Sequence, residues 1–467
     1  MKKILAAALA LIIFISASLF SFPAQAAVYS PDVAIYADAY MLINLDDSSY
    51  PVVAQKNQDK KMYPASLTKI VTAMVTLENT ADLSQKVTVS SQAYNILLGT
   101  GAQVAALKPG EDLSVEQLLY LTMVFSACDA AEVLAEYVGG SRESFVEMMN
   151  DYAASLGCES THFTNPDGLH DDEQYTTAAD LAKITFAAMK NDTFMKIATT
   201  KQYKYKNTVY NHTNVMLFPG YLSYYYEYAE GIKTGSTSQA GYCVITKASK
   251  DGYNYLAIVM GSPLLDYNDD GYKERCSFID AASLFKWAFN SLKFSTIFDE
   301  GEFVTDIPVE NGKDVDTVQL VADKKITSIV KSSFDKSTVI MEYVDKPESI
   351  SAPVKKGEPV CKAKVIFGDE VIAEVNLVAA RDVELSTILK VINAVKEFFS
   401  LTVVRIVLLL LILFAVVYAI LVANNVKKGK KKRQARDKTY RERENYEGYR
   451  GDPFDDIPPP ASKSHWD

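Results

Sequence analysis

The unbroken apolar run from Ile406 to Ala423 constrains this 467-residue chain more than any other stretch. A segment of that length without a charge suits a helix that crosses a bilayer. Arg405 precedes it, and Lys427-Lys428-Gly429-Lys430-Lys431-Lys432-Arg433 follows. The positive-inside rule then places the C-terminal tail in the cytoplasm and the body outside. The N-terminus agrees with that orientation. Met1-Lys2-Lys3, an apolar stretch from Ile4 to Phe20, and small residues at Ala24 and Ala26 read as a secretory signal peptide cut after Ala26. An uncleaved anchor is the alternative.

Composition narrows the rest. The chain is 48% hydrophobic and 23% charged, as expected of folded protein, and long enough for two domains with appendages. Its net charge of -10 argues against nucleic-acid binding, since the one basic run lies in the tail. The five cysteines, Cys128, Cys158, Cys243, Cys276 and Cys361, have no paired spacing. In an exported chain that is no disulfide framework, and most are expected to be small buried hydrophobes.

Chemistry is first suggested at Pro64-Ala65-Ser66-Leu67-Thr68-Lys69. Leu67, Ile70, Val71, Met74 and Val75 recur at helical spacing, which predicts a buried helix with Ser66 in its first turn. Lys69 falls three residues on, hence on the same face, where its amine can reach the Ser66 hydroxyl. A lysine among apolar groups loses its preference for charge and can take a serine proton. Ser-x-x-Lys also occurs at Ser283/Lys286, Ser328/Lys331 and Ser333/Lys336, read as ordinary surface or amphipathic positions.

Around that helix the pattern is mixed. Tyr40 to Leu45 and Pro51 to Ala54 read as strands around the turn Asp46-Asp47-Ser48-Ser49. Ser114 with Gln117 makes a capping box, and Asp129 is placed to cap the helix that ends at Gly139-Gly140. Asn165-Pro166-Asp167-Gly168-Leu169 is turn chemistry, and Thr177 to Lys190 an amphipathic helix. Tyr242 to Ile245, Lys250-Asp251-Gly252 and Tyr255 to Met260 form a hairpin, and Phe278 to Leu292 a closing helix. Helices in the middle with an antiparallel sheet built from both ends imply an α+β layered domain. After Ile297, short strands near residues 317–320, 337–340, 362–366 and 371–375 imply a small all-β domain. Glu384 to Phe399 reads as a helix leading into the membrane, and the tail beyond the span as disordered.

Three elements stand in order: Ser66-x-x-Lys69, Ser126-x-Cys128 and Lys233-Thr234-Gly235. Such triples occur in penicillin-binding proteins and β-lactamases. Gly231 to Gly235, Ala240-Gly241-Tyr242-Cys243, Asn165-Pro166-x-Gly168-Leu169, Asp129-Ala130-Ala131 and the segment from Asp369 to Ala380 complete the likeness. The chain resembles the low-molecular-mass penicillin-binding proteins, the serine-type D-alanyl-D-alanine carboxypeptidases. The resemblance implies an α+β fold of the penicillin-binding/β-lactamase-like serine transpeptidase type, an antiparallel sheet with a helical cluster. The expected organisation is a signal peptide (1–26), a catalytic domain (27–296), a small β-rich domain (297–383), a linker helix (384–401), a transmembrane helix (402–424) and a basic tail (425–467).

The same resemblance implies roles. Ser66 attacks the carbonyl between two D-alanines of a peptidoglycan stem peptide, Lys69 is the general base, and Ser126 relays a proton to the leaving amine. Lys233 and Thr234 hold the terminal carboxylate, and Gly235 lets substrate lie against the strand. The N–H groups of Ser66 and Ser236 form the oxyanion hole. No metal or organic cofactor is implied; β-lactam antibiotics are the implied inhibitors and the bacterial cell membrane the implied location. Cys128 departs from the family, whose second motif ends in asparagine. A thiol is a weak donor and acceptor, and two nearby ammonium groups would lower its pKa. DD-endopeptidase cleavage of cross-links, or a weakly active penicillin-binding sensor, are the alternative readings.

Overall fold

The computed structural model describes residues 28–46, 51–266 and 271–447. The signal-peptide segment, most of the Asp46 to Ser49 turn and the Pro-rich C-terminus lie outside the described residues. The chain divides into two compact units, one holding residues up to Ile307 with 319–348 and 355–381, the other holding 308–318, 349–354 and everything from Asp382 on.

In the first unit, five antiparallel strands form the central sheet. They are β1 (Ala39–Asn44), β2 (Val52–Lys56), β3 (Ala229–Thr237), β4 (Gly241–Lys250) and β5 (Tyr253–Ser262), in the order β2-β1-β5-β4-β3. The β4–β5 hairpin turns at Asp251 (φ 52°) and Gly252 (φ 85°). Two successive left-handed residues give a tight turn whose twist matches the strands, which is why Asp-Gly stands there. β3 is left at the edge of the sheet.

Besides the short helix Ser91–Asn95, the helices are α1 (Lys69–Asn79), α2 (Val115–Val124), α3 (Cys128–Gly139), α4 (Arg142–Ser155), α5 (Ala178–Met189), α6 (Asp192–Ala198) and α7 (Cys276–Ser291). Leu67, Ile70, Val71, Met74 and Val75 are all buried, so the apolar periodicity of α1 does face the core. Ser114 Oγ accepts from Gln117 N while Gln117 Oε1 accepts from Ser114 N, closing the expected capping box on α2. Asp129 does something different from capping. The N-cap of α3 is Ala127, with no side-chain bond, and the Asp129 carboxylate instead accepts from Ala105 N (2.9 Å), Leu107 N (3.0 Å) and Ala130 N (3.0 Å). Two of those amides belong to a preceding loop, and buried backbone donors need an acceptor.

After α7 come β6 (Leu292–Phe298), β7 (Thr317–Ala322), β8 (Ile326–Lys331), β9 (Ile340–Val344), β10 (Pro359–Phe367) and β11 (Glu370–Ala379). β6 pairs with β8, and β9, β10, β11 and β7 lie side by side in that order. The strand expected at 337–340 begins at Ile340 instead, because Asp335 accepts from Ser337 N and turns Lys336–Thr338 into a 3-10 turn. In the second unit, Val309 and Glu310 pair in parallel with Ile350 and Ser351. Helix α8 (Thr387–Ser400) follows, capped by Ser386, and then α9 (Thr402–Glu447). Among the described residues, one helix is long and apolar enough to cross a membrane. The basic stretch read as disordered is helical as far as Glu447. Lys, Arg, Gln, Glu and Ala are good helix formers, and the helix already nucleated in the apolar run only has to propagate into them.

His212 fastens the segment that leads to β3. Its Nδ1 accepts from Asn214 N at 2.9 Å, and Asn214 donates to Gly231 O (2.6 Å) and Thr246 Oγ1 (3.2 Å). Burial, with the nearby Lys233 charge second, pushes the imidazole pKa down to about 3. The unfolded chain binds this proton first, so stability is complete above about pH 6.5 and is lost as pH falls towards 3. Chemical denaturation of the chain at pH 7.5 and 4.5 should show a loss of roughly 2–3 kcal/mol from this group. His212→Gln, which cannot charge, should remove that share of the pH dependence.

Candidate active site

Ser66 lies on a 3-10 turn, Ala65–Thr68, that precedes α1. Ala65 is in the left-handed region (φ 46°), and the turn is tied by Thr68 Oγ1 donating to Ala65 O at 2.8 Å. Lys69, one turn on, is completely buried. Its Nζ donates to Ser66 Oγ at 3.0 Å, to Cys128 Sγ at 3.4 Å and to the carbonyl of Asp167. The helical spacing read from the sequence thus brings amine and hydroxyl together.

The loop from Asn165 to Leu169 supports this pair from below. Thr72 donates to Pro166 O at 2.5 Å, and Asn165 Oδ1 accepts from Gly168 N at 2.7 Å. Gly168 has φ 79°, and a Cβ there would stand 2.0 Å from the Ala65 carbonyl oxygen. Only glycine permits that approach. The sequence marks this stretch as a turn, but nothing local signals that the Asp167 carbonyl would receive the lysine.

Ser126 and Cys128 occupy the junction between α2 and α3, Ser126 again left-handed at φ 64°. Cys128 N donates to Gln103 O at 2.8 Å, and Gln103 Nε2 donates to Phe125 O, so a loop from Thr100 to Gln103 is laid along the junction. The thiol is not acidified. Burial pushes its pKa up and outweighs the attraction of the Lys69 and Lys233 charges, correcting the expectation of a lowered value. Cys128 is 3% exposed, and two ammonium groups do not compensate for lost hydration.

Lys233 and Gly235 lie on the edge strand β3, both buried. A Cβ on Gly235 would lie 2.9 Å from Ser66 N, so the strand runs against the serine turn itself. Lys233 Nζ donates to Thr234 O at 2.9 Å, and Thr234 Oγ1 donates to Thr213 Oγ1 at 2.6 Å. Complete burial, and then the Lys69 charge, hold the Lys233 pKa well below that of an ordinary lysine. The two amines are both fully buried and close enough for the charge of one to act on the other.

A cleft of about 740 Å³ opens above these groups, and Ser66, Ser126, Cys128, Thr234, Gly235 and Ser236 all line it. Arg275, Thr213 and Gln103 line it too and carry no local sequence signal. Two of the other Ser-x-x-Lys pairs hold structural contacts: Ser328 on β8 donates to Ile372 O on β11 (2.5 Å), and Lys336 pairs with Glu302 (2.5 Å). Among the described residues no cluster of three His, Cys, Asp or Glu side chains offers a metal site.

Residues 24–263 match the family model described as D-alanyl-D-alanine carboxypeptidase, and residues 293–385 match that of the penicillin-binding protein 5 C-terminal domain. The chain is 28% identical over 395 residues to the D-alanyl-D-alanine carboxypeptidase DacF of Bacillus subtilis, covering 82% of this chain and 95% of that protein. It is 31% identical over 349 residues to DacC of Escherichia coli, covering 73% and 82%. Penicillin-binding protein 5 of Haemophilus influenzae superposes with a TM-score of 0.55 at 26% identity, over 76% of this chain and all of that one. A serine turn, a junction serine and a buried lysine on an edge strand, in matched sequence over this length, leave one assignment: the chain belongs to the D-alanyl-D-alanine carboxypeptidase family.

Proposed function

We propose that the chain is a membrane-held serine-type D-alanyl-D-alanine carboxypeptidase that removes the terminal D-alanine of peptidoglycan stem peptides through an acyl-enzyme on Ser66. The observation that carries this reading is the 3.0 Å contact between Lys69 Nζ and Ser66 Oγ at the floor of the cleft. With the amine neutral, the same contact runs in the opposite sense and Lys69 takes the hydroxyl proton as Oγ attacks the carbonyl carbon. Ser126 passes a proton to the leaving D-alanine amine. Water then hydrolyses the ester, regenerating Ser66.

The substrate backbone lies along the free edge of β3 as an added strand, with its terminal carboxylate at Lys233 and Thr234. An incoming carboxylate favours the charged form of Lys233, which burial alone disfavours, so binding and protonation of that amine are coupled. The oxyanion is held by the N–H groups of Ser66 and Ser236. β-Lactams, which present the same carbonyl and carboxylate, acylate the same hydroxyl. Fluorescent penicillin should label the full chain covalently. Ser66→Ala should abolish that labelling and D-alanine release together, and persistence of either would remove Ser66 from the role.

Cys128 stands where a better acceptor would serve Lys69, since sulfur accepts weakly. Cys128→Asn is expected to raise kcat/KM about fivefold, the equivalent of one hydrogen bond regained at the transition state. Because burial keeps the thiol protonated, iodoacetamide should modify it far more slowly in the folded chain than in urea. Rapid alkylation of folded protein at pH 8 would contradict this account.

We further propose that α9 crosses the membrane once, with the basic segment from Lys427 inside and the catalytic body outside. Arg405 and the cluster Lys427 to Arg433 set that polarity. Protease added to wall-stripped cells should digest the body and leave a tag at Asp467 protected. A digested tag would reverse the orientation.

A further inference from the structure

A tyrosine-rich loop flanks the cleft and has no part in the chemistry above. Between Tyr221 and Tyr228 the rings sort into two sets. Tyr226 stacks on Phe285 (5.9 Å between centroids, 11°) and meets Tyr228 edge-on at 5.5 Å, which roots the loop on α7. Tyr224 faces the cleft wall: its hydroxyl accepts from Arg275 N at 2.9 Å and its ring packs on Phe278 at 5.3 Å. Arg275 and Phe278 both line the cleft, so the loop is continuous with its rim. Tyr221 (51%), whose ring meets Phe218 edge-on at 6.4 Å, and Tyr225 (39%) are exposed. Backbone bonds from Tyr224 N (2.9 Å) and Tyr225 N (2.8 Å) to Tyr221 O hold these two in one fixed turn.

Exposed tyrosines held by a turn, beside a cleft, offer flat apolar faces with hydroxyl tips at little ordering cost. The ligand that matches is amphipathic in the same way: a pyranose, whose axial C–H groups present an apolar face and whose rim carries hydroxyls. We propose that Tyr221 and Tyr225 form a carbohydrate subsite that binds a sugar of the glycan to which the stem peptide is attached. The proposal rests on the carboxypeptidase reading for its substrate, but the subsite is a binding surface in its own right. It favours sugar-linked stem peptides over free ones without touching the reacting atoms.

Two measurements on the detergent-solubilised full chain test it. In the first, D-alanine release is compared between a free stem pentapeptide and the same pentapeptide linked to its disaccharide. Tyr221→Ala/Tyr225→Ala should raise KM for the sugar-linked substrate roughly five- to tenfold, leave kcat within twofold, and leave the free peptide unaffected. Tyr225→Phe, which keeps the ring face, should behave like the parent protein. An equal loss on both substrates would mean the loop is only structural, and no loss on either would mean the rings bind no sugar; both overturn the proposal. In the second, co-sedimentation with peptide-free glycan strands is measured for the Ser66→Ala chain and for that chain carrying both alanine substitutions. Retention of the first and roughly tenfold weaker retention of the second supports the subsite even if the carboxypeptidase reading fails. Equal retention overturns it.

Discussion

Two lysine amines buried within reach of one cleft are the constraint on which the catalytic unit depends. Neither Lys69 nor Lys233 has measurable exposure, and burying an ammonium without partners costs several kcal/mol. The fold answers with backbone rather than carboxylates: the Asp167 carbonyl and Ser66 hydroxyl take Lys69, and the Thr234 carbonyl takes Lys233. Carbonyl dipoles stabilise a charge without fixing it. An aspartate in the same place would pin a charge beside each amine. The Asn165–Leu169 loop, the left-handed Ala65 and the absent side chain at Gly168 are the means by which one carbonyl is delivered to Lys69.

The same economy accounts for the thiol. Cys128 is packed against an amine, yet hydration lost by sulfur outweighs the attraction, so it stays a neutral group that asks little of Lys69. Counting charges in the sequence predicted the opposite sign, because a sequence shows which charges are near but not how much water is removed.

Legibility followed the range of each interaction. Local signals were read well: the apolar stripe of α1, the Ser114 capping box and the Asp-Gly hairpin depend on neighbours within a few residues, and the structure carries all three. The motif lysines and serines were readable because spacing and order identify them. Contacts between distant segments were not. Asp129 looked like a cap and proved to be an acceptor for a loop some twenty residues away, and Thr213, Gln103 and Arg275 reach the cleft through tertiary placement alone. In the basic stretch, charge density reads as disorder although its residues individually favour the helix that forms there.

The continuity of α9 has a mechanical consequence. Its 46 residues rise about 1.5 Å each, giving a rod of roughly 70 Å against a hydrocarbon core of about 30 Å. No proline interrupts it, and its lone glycine, Gly429, sits in the basic part. Rotation or tilt imposed on the apolar half is therefore transmitted as torque to the basic half, since a continuous hydrogen-bonded helix twists and leans as one body. A flexible tail would dissipate that motion. If the apolar half is held in a bilayer as proposed, whatever grips the lysines and arginines is coupled to the attitude of that half.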